Sequence, residues 1–132
     1  MSYKVLGLDG KTYSWNLVKY TTNNHNPSSL HIKAREILKK LYPFDAILEE
    51  VALPGSTLIA DFYIHRIKTV IEVHGEQHYT YNNFFFKDKK SFLQASQRDK
   101  QKQQWCEINS ITYIELPYNK IEEWEWIISQ KN

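Results

Sequence analysis

The chain has 132 residues, of which 42% are hydrophobic and 14% aromatic, and its 17 basic and 15 acidic residues give a net charge of +2. This length suits one domain with a single core, and the aromatic content excludes a disordered chain. Cys106 is the only cysteine, which excludes an intrachain disulfide and a thiolate metal cluster. We therefore expect a core position for Cys106.

Hydropathy excludes a membrane protein of the helical type. No run of 18 apolar residues occurs, and the segment MSYKVLGLDG lacks the apolar centre of a signal peptide. We expect an intracellular, cytoplasmic protein, from a bacterium or a phage-infected host cell, without a membrane partner.

Residues 1–27 are predicted to form a small β-hairpin and a loop. Alternation around Asp9-Gly10 in LGLDGKTYSWNLV indicates two short strands. A polar loop containing Pro27 follows. Ser28 or Ser29 then caps a helix that runs to about Leu41, because apolar residues recur on one face of this segment, at Leu30, Ala34, Ile37, Leu38 and Leu41.

The remainder of the chain predicts three strands, a helix, a strand and a last helix. The strands are Ala46 to Val51, LIADFYI and TVIEVH, with a turn at Pro54-Gly55 between the first two. A helix over residues 90–108 precedes a strand from Ile111 to Leu116, and Asn119 with Glu122 resembles a capping box for the last helix. The order α-β-β-β-α-β-α over residues 28–128 predicts an α/β (α+β) domain, with a central mixed β-sheet flanked by helices.

Two carboxylates, Asp61 and Glu72, are predicted to face each other across a hairpin. If His65 to Lys68 form the turn, with residue 65 paired to residue 68, Asp61 lies opposite Glu72. Like charges about 5 Å apart on paired strands destabilise a sheet, and a divalent cation between them would remove the repulsion. The alternative is two solvated carboxylates on the exposed face of a hairpin.

The pattern D-x10-E-x-H, which continues as His74-Gly75-Glu76-Gln77-His78, resembles the PD-(D/E)XK nuclease superfamily with His in place of the usual Lys. Within it, VHGEQH is similar to the very-short-patch-repair endonucleases and related phage and homing endonucleases. The resemblance covers residues 28–128. It implies a restriction-endonuclease-like core in a single nuclease domain and Mg²⁺- or Mn²⁺-dependent hydrolysis of DNA phosphodiester bonds.

The resemblance also implies roles for individual residues. Asp61 and the carbonyl of Val73 would bind the metal, and His74 and His78, with Gln77 between them, would serve in catalysis. Glu72 stands where the patch-repair branch has an apolar residue and restores the commoner D…E form, so it joins the expected metal ligands. His74 would either accept a proton from water or stabilise the phosphorane as a cation.

Nucleases of this type carry a Glu on the first helix, which leaves a choice between Glu36 and His31. Glu36 lies nearly opposite the apolar face of that helix, whereas His31 lies beside this face in the first turn, three residues after Ser28. We therefore favour His31 as the catalytic residue on the helix. A capping or surface histidine is the alternative.

A basic segment follows the predicted metal strand and favours contact with the phosphate backbone of DNA. A solvated helix face explains the same charges, and an ion pair explains the spacing of Asp99 and Lys102. The candidate DNA-binding residues are Lys87, Lys89, Lys90, Arg98 and Lys102.

The sequence leaves two functions open, a metal-dependent DNA endonuclease and a catalytically inactive nucleic-acid-binding module of the same fold. The complete D…E-x-H set favours the enzyme. A monomer of this size would nick one strand, and a homodimer would be needed to cut both strands.

Overall fold

The computed structural model describes residues 2–21, 27–75 and 89–131. The candidate residues Gln77, His78 and Lys87 lie outside the described residues. Within these ranges, no helix combines the length and the apolar character that crossing a membrane requires.

Four strands form a mixed sheet, as predicted. They are β3 (Leu48–Ala52), β4 (Ile59–Ile64), β5 (Thr69–His74) and β6 (Thr112–Pro117), in this spatial order. The pairs β3–β4 and β4–β5 are antiparallel, and β5–β6 is parallel. A separate antiparallel hairpin of β1 (Ser2–Leu6) and β2 (Thr12–Asn16) confirms the predicted N-terminal hairpin.

The helices are α1 (Leu17–Tyr20), α2 (Ser29–Leu41), α3 (Lys89–Ile108) and α4 (Trp124–Lys131). From α2 onward their order with the strands is the predicted α-β-β-β-α-β-α, while the short α1 was not expected. Ser28 caps α2 by accepting a hydrogen bond from the His31 backbone N–H at 3.1 Å, as the sequence indicated.

The predicted capping box of the last helix is wrong. A 3₁₀ turn over Ile121–Glu123 precedes α4, and the cap position is Lys120, which makes no side-chain capping bond. The chain turns tightly after β6, where the Pro117 carbonyl accepts the Lys120 backbone N–H at 3.2 Å and the Trp124 indole N–H at 2.8 Å. The last residue of β6 thus binds the residues that lead into α4, and Asn119 is exposed.

Both faces of the sheet are covered. One face packs against α2 and α4 through Ala34, Leu38, Phe62, Ile64, Ile71, Ile114, Leu116, Trp124 and Ile128. The other face packs against the N-terminal hairpin and α3 through a second buried cluster that includes Trp15, Val51, Tyr63, Val70, Trp105 and Cys106. Cys106 is fully buried, which confirms its predicted core position.

Two tryptophans anchor α3 and the hairpin to the loop between β3 and β4. The indole N–H of Trp105 donates to the Pro54 carbonyl at 2.9 Å, and that of Trp15 donates to the Ala52 carbonyl at 3.1 Å. The two rings meet edge to face with centroids 5.1 Å apart. Because Trp105 lies three residues after Lys102, this contact fixes the side of α3 that faces the sheet.

The hairpin also contacts this loop where Gly7 lies against Gly55. Gly55 has φ +78°, and a Cβ placed on it would overlap the Cα of Gly7. Gly10 has a similar φ of +82°, but nothing lies within 4 Å of the place where its Cβ would be. The first site therefore combines a left-handed backbone with a close backbone approach, and the second has the left-handed backbone alone.

We expect Gly10→Ala to lower the free energy of unfolding by about 1–2 kcal/mol, the cost of a left-handed alanine. Gly55→Ala should cost about 1–3 kcal/mol more, because backbone atoms cannot move aside as a side chain can. Urea unfolding of both variants and the wild type measures the difference. Equal losses in the two variants would show that the Gly7 contact does not hold the hairpin in place.

Candidate metal centre

The turn between β4 and β5 has the predicted register. The backbone N–H of Lys68 donates to the His65 carbonyl at 3.0 Å, and the strands pair Ile64 with Thr69 and Phe62 with Ile71. Continued by one residue, this register sets Asp61 opposite Glu72, as expected from the spacing.

At Asp61 and Glu72, hydrogen bonds from backbone N–H groups to side-chain carboxylates join β4 to β5 in place of backbone–backbone hydrogen bonds. The Asp61 N–H donates to Glu72 Oε2 at 2.6 Å, and the Val73 N–H donates to Asp61 Oδ2 at 2.8 Å. Each carboxylate thus binds the backbone of the opposite strand. Glu72 is only 1% exposed, so the alternative of two solvated carboxylates is wrong for this residue, because α3 packs over this face.

A group of three potential metal ligands lies at Asp61. One ligand atom each from His31, Glu50 and Asp61 falls within 4.8 Å of the others. They come from α2, β3 and β4, three elements that pack together. Among the residues that the structure describes, Glu72 is not in this group, so the arrangement differs from the predicted set of Asp61, Glu72 and the Val73 carbonyl. Asp61 is common to both.

Glu50 occupies this position through an unusual backbone. Its φ is +51°, in the left-handed region, at a cost of about 1–2 kcal/mol for a residue with a Cβ. On a regular strand residues 49 and 51 share a face. Here Glu49 contacts α2 while Val51 joins the cluster around Trp15. The left-handed residue therefore switches the face of β3 at the candidate site, which is where backbone strain tends to be kept.

His31 is held in place by its neighbours. Its Nε2 lies 2.7 Å from Glu49 Oε1, and its ring stacks on Phe62 with centroids 4.3 Å apart. Metal-binding histidines commonly bond a carboxylate through the second ring nitrogen. Since Nε2 is taken by Glu49, Nδ1 is the nitrogen left for a ligand. Glu36 is exposed, so the structure brings His31 rather than Glu36 to the site, in agreement with the sequence preference.

Glu49 in turn is bound by Arg35, with distances of 2.9 Å from Nε to Oε2 and 2.8 Å from NH2 to Oε1. Burial alone would raise the pKa of Glu49, but Arg35 and His31 outweigh it, so the pKa falls below its usual value. A lowered pKa stabilises the fold above the pKa of the unfolded chain, and the effect is lost as the pH falls through the folded value.

We therefore expect Glu49→Gln to lower the free energy of unfolding at pH 7 by about 1.5–3 kcal/mol, the range for hydrogen bonds to charged groups. The difference between variant and wild type should begin to shrink as the pH falls below about 4.5, the ordinary pKa of a glutamate. Its ionic part should be lost only below the lowered pKa of the folded state, where Glu49 is protonated in both states. Urea unfolding at a series of pH values measures it, with the exposed Glu36→Gln as control. A difference independent of pH would contradict the ionic contribution.

Glu72 and Lys102 form a buried ion pair. The Nζ of Lys102 lies 2.6 Å from Glu72 Oε1, and the side chains are 16% and 2% exposed. Burial, and then the charge of Asp61, raise the pKa of Glu72 to about 7, while Lys102 acts against this rise. Burial lowers the pKa of Lys102, but the charge and hydrogen bond of Glu72, together with the charges of Asp61 and Asp99, outweigh burial and the net shift is upward. The ammonium form of Lys102 is therefore favoured at neutral pH.

His74 lies among acidic groups two residues further along β5. Its Nδ1 is 3.2 Å from Glu115 Oε1, and its Nε2 is 3.9 Å from Asp99 Oδ1. Burial by itself lowers the pKa of His74, but Glu115, Asp99 and Glu72 outweigh burial and raise it. An imidazole held as a cation donates hydrogen bonds and does not accept protons. Of the two roles that the sequence left open for His74, this environment favours the cation that stabilises the phosphorane over the base that accepts a proton from water.

The candidate DNA-binding residues within the described ranges divide into two groups. Lys89, Lys90 and Arg98 are exposed along α3, which agrees with contact to a phosphate backbone and equally with a solvated face. Lys102 instead faces the protein interior and binds Glu72. The alternative predicted for Lys102 was an ion pair with Asp99, whereas the ion pair that the structure shows joins Lys102 to Glu72 on β5 at 2.6 Å.

Sequence reasoning missed Glu50, Glu49 and the partner of Lys102. One signal was available for Glu50. A β3–β4 hairpin turning at Pro54-Gly55 pairs Ala52 with Ile59 and Val51 with Ala60, so the next position along sets Glu50 opposite Asp61. The contact between Lys102 and Glu72 joins residues 30 positions apart and had no local signal.

Comparison with known proteins gives two related viral sequences. No protein-family model matches the chain, and no solved structure matches it. Uncharacterized protein 033L of Invertebrate iridescent virus 3 is 33% identical over 66 residues, which are 50% of this chain and 34% of that protein. Uncharacterized protein 307L of Invertebrate iridescent virus 6 is 38% identical over 58 residues, 44% of this chain and 29% of that protein. The chain thus spans about a third of the length of these relatives.

Proposed function

We propose that this chain is a metal-dependent DNA endonuclease with a restriction-endonuclease-like fold. The observation that carries the proposal is the meeting of His31, Glu50 and Asp61 at one point, with ligand atoms within 4.8 Å of each other. The mixed four-stranded sheet and the order α-β-β-β-α-β-α support the fold, and the D…E-x-H pattern supports the chemistry.

The donor set fits a divalent cation that accepts both oxygen and nitrogen. Glu50 and Asp61 supply carboxylates, and His31 supplies an imidazole oriented by Glu49. Mg²⁺ usually takes oxygen ligands only, so Mn²⁺ is the metal to test first beside Mg²⁺. A cation bound here would lower the pKa of a coordinated water and neutralise charge on the scissile phosphate.

The chain's own residues supply the rest of the chemistry. The raised pKa values of His74 and Lys102 favour their charged forms, which would stabilise negative charge that develops on a phosphate near the centre. Lys89, Lys90 and Arg98 on the exposed side of α3 attract the DNA backbone. A monomer would nick DNA, and a homodimer would cut both strands.

Cleavage of supercoiled plasmid, single-stranded DNA and branched DNA in Mn²⁺ or Mg²⁺ tests the proposal, with EDTA as the control for metal dependence. We expect metal-dependent nicking or linearisation by the wild type, and none in EDTA. Binding of these DNAs without cleavage under every metal condition would overturn the endonuclease. It would support the inactive nucleic-acid-binding module instead.

A further inference from the structure

The ion pair of Lys102 and Glu72 bears on how many metal ions the centre can hold. Both oxygens of Glu72 already have partners, since Oε1 is bound by the Lys102 ammonium and Oε2 by the Asp61 N–H, each at 2.6 Å. The sequence suggested a divalent cation to relieve the repulsion between Asp61 and Glu72. In the folded chain a lysine from α3 supplies positive charge at Glu72.

Among the described residues, the carboxylates of Glu50, Asp61 and Glu72 lie at or next to the centre. Glu50 and Asp61 carry two negative charges in the ligand group, and one divalent cation neutralises them. Glu72 is neutralised by Lys102. A second divalent cation on Glu72 would lie against a buried ammonium, where repulsion between like charges is only weakly screened.

Lys102 also lines a groove that Glu72 does not line. The groove has a volume of about 260 Å³ and is lined by Thr57, Leu58, Ile59, Ala95, Arg98, Asp99 and Lys102. A lysine ammonium has three N–H donors, and Glu72 Oε1 accepts one of them. A phosphate oxygen in this groove would therefore lie beside the Lys102 side chain.

We propose that Lys102 is a positioning residue that takes the place of a second divalent cation, so that the centre of His31, Glu50 and Asp61 holds a single one. Lys102 fixes the Glu72 carboxylate, which fixes the Asp61 backbone through the Asp61 N–H, and it presents positive charge to the groove. This inference rests on the metal centre of the proposed function. It concerns metal number, which can be measured without DNA.

Titration of the protein with Mn²⁺, with free Mn²⁺ followed by electron paramagnetic resonance, tests the number of ions. We expect one Mn²⁺ per chain. Asp61→Asn should weaken binding by about tenfold or more, as expected for loss of a ligand. The double variant Lys102→Met with Glu72→Gln, which removes both charges of the pair, should still bind one Mn²⁺, but about tenfold more weakly, because the ion pair that fixes the Asp61 backbone is lost.

Thermal unfolding without metal tests the pair itself. Lys102→Met leaves the Glu72 carboxylate buried without its cation and should lower the unfolding temperature by roughly 5 °C or more. The double variant should regain most of this loss, because neither charge is left unpaired. Lys100→Met, at an exposed position of the same helix, is the matched control and should change neither quantity.

The outcomes separate this inference from the endonuclease proposal. Two Mn²⁺ per wild-type chain overturns the single-ion centre even if DNA is cleaved, and an affinity of the double variant equal to that of the wild type overturns the positioning role of Lys102. One Mn²⁺ bound with no cleavage of DNA supports the single-ion centre and overturns the endonuclease. Absence of Mn²⁺ binding overturns both. If Lys102→Met does not fold, the double variant still gives the metal count.

Discussion

Replacement of Asp61 by Asn should reduce the rate of metal-dependent DNA cleavage by about 10³-fold, equivalent to several kcal/mol of lost charge stabilisation. Asp61 belongs to the group of candidate ligands and also accepts the Val73 N–H at 2.8 Å. Asn keeps the shape and removes the negative charge. The measurement is kcat on plasmid at saturating Mn²⁺, with the folded state of the variant checked by circular dichroism.

Glu36→Gln is the matched control for Asp61→Asn, because it also replaces a carboxylate by its amide. Glu36 is exposed on α2, the helix that supplies His31, and its replacement should leave the cleavage rate within about twofold of the wild type. A fully active Asp61→Asn variant would move the metal away from this hairpin. If Glu36→Gln lost as much cleavage activity as Asp61→Asn, Glu36 and not His31 would be the catalytic residue on α2.

Replacement of Trp105 by Ala should lower the free energy of unfolding by about 3–5 kcal/mol, a large part of the total stability of a small domain. Trp105 is fully buried, packs edge to face on Trp15, and donates its indole N–H to the Pro54 carbonyl. The variant loses this packing and leaves that carbonyl without its partner. Unfolding in urea, followed by circular dichroism, measures the loss.

Trp126 on α4 is the matched control, since it is 63% exposed. Its replacement by Ala should change the free energy of unfolding by no more than about 0.5 kcal/mol. A small effect of Trp105→Ala would mean that α3 is not anchored through this ring. The position of Lys102 would then need another explanation.

The strands and helices of this chain were predictable where one local pattern decides them. The helical recurrence of Leu30, Ala34 and Leu38 predicted α2, because that helix has one face to bury, and the run TVIEVH predicted β5, although both faces of that strand are buried. The start of α4 was not predictable from Asn119 and Glu122. There the Pro117 carbonyl binds the Trp124 indole, a contact that sequence spacing does not reveal.

The candidate site was predictable only in part. The register that sets Asp61 opposite Glu72 follows from turn length alone, and His31 follows from its place on the helix. The β3–β4 register places Glu50 opposite Asp61, but its left-handed backbone reverses the alternation on which strand reasoning depends, so the face that Glu50 occupies was not predictable. The sequence predicted that Lys102 binds DNA phosphate. In the structure Lys102 binds Glu72, because a buried carboxylate without a partner costs much free energy.

The exchange of backbone partners at the hairpin makes two amide protons sensitive reporters of the centre. The N–H groups of Asp61 and Val73 bond to carboxylates, at 2.6 and 2.8 Å, instead of to carbonyls. Any event that changes the charge of either carboxylate must change the shielding of these two protons, while the neighbouring amides of the regular ladder stay nearly constant. In a nitrogen-15 labelled sample these resonances would follow occupancy of the centre by a diamagnetic cation directly, with no substrate and no turnover.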